Sequence, residues 1–433
     1  MEKGSMLIKK FLALVLAVFP TMNLASMEVQ TEIYGETVMK DKKILISGAG
    51  IAGFTLAYWL KQRGFSPTII EKHPYVRGGG YKVDVRGTAL EVAKRMGIYQ
   101  DLLEANVNLV CSKFVSSGQK VFEFDGDILG HSSEGEIEIN RWDLAQILSK
   151  KVGEIEIIYG DSITNIDGKM VHFEQMEPRE FDIVVGADGQ YSNVRRLAFG
   201  EDATFLKRYG IQFCVFPIPN IFELERCEIV YFDKGKLATA YAVGNHSYAC
   251  LAFKSEEETL PLDNLQAVFE KQFQGLDWEI PRLVSLMKES DECYFNSIAQ
   301  VRMPCWSQGR VVLIGDAAHS VQAMGTSLAM VGAYVLAREI DESNGDFTLA
   351  FEKYEKNMRK FVEAAQDLAE ENQQAFTESS LRMKIQLYLM EILPKKIIQY
   401  FTERGKRQMK EVANGLTLEP ITEMQRISLD AKD

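Results

Sequence analysis

The hexapeptide GAGIAG, Gly48 to Gly53, follows the apolar run Lys43 to Ser47 and opens the helical pattern of Ile51 to Arg63. A buried strand that becomes a helix through three glycines restricts this part of the chain to a βαβ unit whose backbone is open to phosphate. The first glycine permits the tight turn, the second lets a pyrophosphate approach, and the third lets the helix pack close to its strand. The helix N-terminus then offers orphan N–H groups and partial positive charge to an anion. Gly64 stops the helix, and SPTIIEK (Ser66 to Lys72) reads as the second strand. Glu71 ends that strand where a carboxylate accepts hydrogen bonds from ribose hydroxyls, so the expected dinucleotide is FAD or NAD.

Two later segments repeat the pattern of a strand ending on glycine and acid. FDIVVGADGQYSNVRR (Phe181 to Arg196) ends its strand at Gly186-Ala187-Asp188-Gly189, and RVVLIGDAAH (Arg310 to His319) ends at Gly315-Asp316. Three such strand ends are more than a nicotinamide domain needs. Between them, Ile211 to Phe253 alternates β-branched and aromatic residues with polar ones, the pattern of antiparallel sheet with one solvated or ligand-facing side. From Phe347 the pattern is helical almost to the end.

Together the three motifs resemble the class A flavin-dependent monooxygenases, the para-hydroxybenzoate hydroxylase-like family, over about Lys42 to Gly345. The resemblance is closer to the tetracycline destructases and related antibiotic-modifying hydroxylases, through RGGGYKVDVRG (Arg77 to Gly87), MGIY (Met96 to Tyr99), Phe295 to His319 and LAMVGAY (Leu328 to Tyr334). It implies an α/β fold: a Rossmann-like FAD-binding domain of glutathione-reductase type, an inserted antiparallel β-sheet substrate domain and a C-terminal helical segment. The expected boundaries are an extension and linker over 1–41; FAD domain over 42–110, 139–200 and 305–345; substrate sheet over 111–138 and 201–304; helices capping the substrate site over 346–418; and a frayed tail over 419–433.

The resemblance also implies the cofactors FAD and NAD(P)H, and residue roles. Gly48, Gly50 and Gly53, with Ile51 and Ala52, would hold the FAD pyrophosphate, and Glu71, beside Lys72, the adenosine ribose. Arg141 would reach the flavin phosphates, Asp84 would touch FAD, and Arg77 the nicotinamide cofactor. Asp188 would organise both cofactors, Asp316 after Gly315 the ribitol chain, and Gly325, Thr326 and Ser327 the flavin ring. His246, Phe213, Tyr231 and Tyr241 are the candidate substrate-lining residues. NAD(P)H would reduce FAD, and O2 would then give a C4a-hydroperoxide that hydroxylates an aromatic or enol-bearing polycyclic molecule. Relatives carry Gly-Gln-Gly where this chain has Ala323-Met324-Gly325 on a shorter loop, which keeps two alternatives open: a non-catalytic ligand-sequestering protein and an isoprenoid- or quinone-type reductase.

No catalytic side chain is required by such chemistry, and no Ser-His-Asp set or metal-ligand spacing occurs. Of the histidines, His319 belongs to the Gly-Asp-Ala-Ala-His string and suits packing. With 49 Lys and Arg against 61 Asp and Glu the chain carries a formal charge of −12, which argues for a small-molecule partner and against nucleic acid. A monomer or weak dimer is expected. The six cysteines are scattered and read as buried thiols of a reducing compartment. Lys9-Lys10 and Phe11 to Phe19 resemble the charged and apolar parts of a signal peptide, too short to span a bilayer, so a cytoplasmic expectation leaves export open.

Overall fold

The computed structural model describes residues 42–76, 81–115, 121–125, 135–233, 235–243, 246–255, 264–377, 393 and 395–420. Arg77, the expected nicotinamide contact, and the signal-like segment lie outside the described residues.

The apolar runs at the three motif-bearing strands form the centre of a six-stranded sheet. Its order is Ser307–Gln308, Val311–Leu313, Ile183–Gly186, Lys43–Ser47, Ser66–Glu71, Glu156–Tyr159. Every pairing is parallel except the edge pair of Ser307–Gln308 with Val311–Leu313. Parallel strands need cover on both faces, which is why Ile44 to Ile46, Ile183 to Val185 and Val311 to Leu313 read as unbroken apolar runs and are buried. Helix Ile51–Gln62 connects the first two strands, and helix Gly325–Glu342 packs along it, with the Trp59 and Tyr334 rings meeting edge-on at 4.9 Å. Because these strands are parallel, all three Gly-and-acid ends emerge at the same, carboxyl-terminal edge of the sheet.

A second sheet of seven strands runs Tyr294–Val301, Leu206–Ile218, His246–Lys254, Lys236–Val243, Cys227–Asp233, Cys111–Val115, Val121–Asp125. Its pairings are antiparallel apart from Cys227–Asp233 beside Cys111–Val115. Helices Leu265–Phe273 and Ile280–Glu289 cover one face, where Cys214, Phe216, Leu251 and Phe253 meet Phe269, Phe273, Leu283 and Met287 in a core of their own. A two-stranded ribbon, Lys82–Val85 with Ile137–Asn140, lies between the sheets. There Lys82 Nζ lies 2.9 Å from Glu138 and 3.5 Å from Glu228 of the second sheet.

Helix Phe347–Thr377 adds Phe351, Tyr354, Met358 and Phe361 to the core of the first sheet. Helix Lys395–Ala413 ends against the same domain: Ala413 is buried, and Thr88 Oγ1 donates to the Leu416 carbonyl at 2.5 Å. The described parts of these helices therefore seat on the parallel-sheet domain, and residues 378–392, to which the capping expectation also applied, lie outside the described residues.

One expectation is corrected. Cys111 and Cys227 are joined by a disulfide, their Cα atoms 4.7 Å apart, and of the four free cysteines Cys305 is exposed. The two half-cystines are 116 residues apart, and only the parallel pairing that sets them side by side brings them together. Among the described residues no helix is long and apolar enough to cross a membrane, and no group of side chains could hold a metal ion.

Candidate FAD and substrate site

The glycine loop is built for close backbone approach. Gly48 has φ +111°, and a Cβ there would lie 2.5 Å from the Ala187 carbonyl oxygen; one on Gly53 would lie 2.0 Å from the Gly48 oxygen. These two glycines fit strand and helix together. A Cβ on Gly50 would meet nothing within 4 Å, so the middle glycine borders open space at the N-terminus of helix Ile51–Gln62. Ile51 and Ala52 form its first turn, which has no acidic residue to compete for an anion. Glu71 accepts from the Ala49 N–H and the His73 N–H, both at 2.9 Å, which holds its carboxylate at the mouth of the glycine loop with lone pairs to spare. Lys72 beside it is exposed.

The third strand end gives the floor of a recess. Gly315, at φ +56°, turns the chain so that Asp316 begins the short helix Asp316–His319. Asp316 is exposed in surface terms, yet burial pushes its carboxyl above the usual range while Arg141 pulls it back. Both hold together where the carboxylate opens onto a recess walled by protein. Helix Gly325–Glu342 starts beside it, since a Cβ on Gly325 would approach Asp316 Oδ1 to 3.3 Å. Arg141 opens helix Arg141–Val152, which Asn140 caps by accepting from the Trp142 N–H at 2.9 Å. Gly325 and Thr326 are half-buried at the helix start.

Other expected residues make contacts within the protein. Asp188 caps the helix Asn193–Phe199: its carboxylate accepts from the Ser192 hydroxyl and, at 3.0 Å, from the Val194 N–H. Asp84 pairs with the fully buried Arg86 at 2.9 Å. Ser327 accepts from the Arg86 N–H at 3.0 Å and donates to the Asp84 carbonyl at 3.3 Å, so it ties the helix to the ribbon. Arg195, which sequence reasoning gave no role, is fully buried and donates to the Ala317 carbonyl at 3.0 Å and the Gln190 carbonyl at 2.8 Å. It joins the second and third strand ends; a buried arginine has no sequence signal of its own.

The shortened loop Ser320 to Met324 is pinned to the second sheet. Gln322 Nε2 donates to the Ala299 carbonyl at 3.0 Å, and the Val301 N–H to the Ser320 carbonyl at 3.3 Å. Ala323 takes φ +63°, a conformation in which glycine has no steric penalty.

The uncovered face of the seven-stranded sheet takes the residues alternate to its helix-covered core. Phe213 and Tyr241 belong to this face, and Tyr241 Oη accepts from the Lys82 N–H at 3.1 Å. His246 is exposed at the start of its strand, near Asp143 of helix Arg141–Val152. Tyr231 is not brought to this face. It belongs to the helix-covered core, stacked on Trp278 at 5.2 Å with its hydroxyl donating to Asp277 at 2.6 Å.

A glycine-rich βαβ mouth, a carboxylate at the same sheet edge and a second sheet beside it are what a dinucleotide-binding oxidoreductase needs. The chain belongs to the family described as FAD binding domain, which it matches over residues 41–369, and it is a flavin-dependent monooxygenase. It is 37% identical over 338 residues to a flavin-dependent monooxygenase of an unknown prokaryotic organism, covering 75% of this chain and 88% of the relative. It is 33% identical over 392 residues to a flavin-dependent monooxygenase of Legionella longbeachae, covering 88% of this chain and 98% of the relative. Among solved structures it is similar to the tetracycline destructase Tet(55), at 32% identity and TM-score 0.75, covering 88% of this chain and 98% of the other.

Proposed function

We propose that the chain is an NAD(P)H-dependent hydroxylase of an aromatic or enol-bearing polycyclic molecule, with tetracyclines as the first compounds to test. The observation that carries this reading is Asp316, a carboxylate open to a protein-walled recess and set between the glycine loop and an aromatic-bearing sheet. The finer fold reading, a glutathione-reductase-type domain with the seven-stranded sheet inserted, belongs with it. The likeness to Tet(55) and Tet(51) supports the choice of tetracyclines.

The residues fit FAD. Gly50 leaves room for the pyrophosphate, Glu71 keeps lone pairs for a ribose, and Asp316 offers an acceptor for ribitol hydroxyls. Arg141 brings a positive charge to the same recess, and the N-terminus of helix Gly325–Glu342 brings a partial one. Bound FAD supplies the chemistry of oxygen activation once reduced by a nicotinamide. The protein's share is to bind, to orient the substrate ring and to exclude water from the recess.

The test is mass spectrometry of tetracycline incubated with the FAD-loaded protein, NADPH and air. A product heavier by one oxygen atom supports the reading; NADPH oxidation that gives a product heavier by two hydrogen atoms, with no oxygen gained, points to a reductase instead. Asp316→Ala is expected to weaken FAD binding by about tenfold or more in a fluorescence titration, as fits the loss of a hydrogen bond to a charged acceptor. Unchanged affinity would remove Asp316 from the site.

A further inference from the structure

Three aromatic rings meet between the ribbon and the second sheet. Tyr81 leads into the ribbon, and its ring lies 6.1 Å from Phe213 and 5.5 Å from Tyr294; Phe213 and Tyr294 are 6.1 Å apart. Phe213 and Tyr294 sit on the neighbouring strands Leu206–Ile218 and Tyr294–Val301, on the face left bare by the covering helices. All three rings are half-buried, and Tyr81 is close enough to both Arg141 and Asp316 to feel their charges. The cluster thus reaches from the sheet to the recess. Asn296 Nδ2 donates to the Tyr294 hydroxyl at 2.8 Å, which fixes the polar end of that ring.

The cluster and its hydrogen-bonded neighbour Asn296 present rings, hydroxyls and an amide. The charges next to it come in opposite signs, Arg141 with Asp316, and Lys82 near Tyr241 is engaged by Glu138 and Glu228. An aryl carboxylate placed here gives up its hydration without gaining a dedicated cation among these groups. A flat neutral ring system gains ring contacts and loses little.

We propose that Tyr81, Phe213 and Tyr294 form the specificity wall of the substrate cleft, selecting planar, uncharged phenol- or enol-bearing rings and disfavouring aryl carboxylates. This rests on the hydroxylase reading above, and the experiment separates the two.

Titration calorimetry on the FAD-loaded protein compares 2-naphthol, 4-hydroxybenzoate and cyclohexanol. The naphthol is expected to bind at least tenfold more tightly than either of the others. Phe213→Ala and Tyr294→Leu are each expected to weaken naphthol about tenfold, whereas Tyr294→Phe, which keeps the ring, stays within about threefold of the parent. FAD affinity, read from flavin fluorescence, is expected to be unchanged in all three, which also reports that they fold. Tighter binding of 4-hydroxybenzoate, or naphthol affinity indifferent to both ring deletions, overturns the wall. If the protein takes up no FAD the hydroxylase reading falls. The same titrations on flavin-free protein then still decide the wall, by dependence on Phe213 or its absence.

Discussion

His319 shows what burial does to a single titratable group. It is 2% exposed, its ring lies 4.9 Å from Trp306, and neither ring nitrogen has a hydrogen-bond partner among the described residues. Burial, with the nearby Arg359 charge, pulls its pKa down to about 4. The unfolded chain takes up a proton near pH 6.5 and the folded one only near 4, so stability falls as pH drops through that window and is unaffected above it. The loss due to this one group is about 2 kcal/mol at pH 5. His319→Gln removes it, so the difference in unfolding free energy between pH 7.5 and pH 5, from denaturant titrations, is expected to be smaller in the variant. Equal differences would mean that His319 is charged in the fold. The packing role assigned to His319 from the sequence agrees with this burial. The roles of Asp188 and Asp316 were harder to separate, because both are acids at a strand end. What distinguishes them is whether the following residues fold back: Ser192 and Val194 return to occupy Asp188, whereas Gly325 leaves Asp316 open to the recess. Tyr231 differs from Tyr241 only by strand parity, which a one-residue uncertainty in register reverses.

At the scale of elements, the strand, glycine loop and helix were legible because each constraint is local. Two glycines with different neighbours make this testable. Gly50, with φ −98° and open space around its missing side chain, accepts an alanine without strain; Gly53 does not, because its Cβ would collide with the Gly48 oxygen at 2.0 Å. Gly50→Ala is therefore expected to leave the melting temperature of the flavin-free protein within about 1 °C of the parent while reducing FAD affinity at least tenfold, since the methyl occupies the pyrophosphate's approach. Gly53→Ala is expected to destabilise the flavin-free protein itself, by about 1–3 kcal/mol, as for other overpacked contacts. Equal effects of the two substitutions on stability would mean that the open space at Gly50 closes in solution. The shortened loop was legible only in part. Its departure from the Gly-Gln-Gly pattern stands in the sequence, but the hydrogen bonds that tie the loop at Ser320 and Gln322 come from Ala299 and Val301, on a distant strand.

Across the whole molecule, the helix-covered face of the second sheet has a core of its own, while its Leu206, Ala299 and Val301 join the core of the first sheet, and the chain passes between the two repeatedly. It leaves the parallel-sheet domain for Cys111–Val115, returns through Ile137–Asn140 to supply Glu156–Tyr159 and Ile183–Gly186, and re-enters the second sheet at Leu206. Sequence patterning showed the motif-bearing strands of the first sheet and the Ile211 to Phe253 strands of the second, but neither the individual strands Cys111–Val115, Val121–Asp125 and Glu156–Tyr159 nor this pairing, since a parallel neighbour 116 residues away leaves no local trace. The Cys111–Cys227 disulfide closes a loop that contains those two strands of the other domain. Constraining so long a loop in the unfolded chain is worth about 2–4 kcal/mol. Guanidinium unfolding followed with and without a phosphine reductant is expected to show a loss of that size in the parent protein. Cys227→Ser is expected to match the reduced parent and to be indifferent to reductant. Thiol titration of the denatured, unreduced protein should find four of the six cysteines reactive. Six reactive thiols, or a parent that unfolds alike with and without reductant, would mean that the seam between these two strands is held by backbone hydrogen bonds and packing alone.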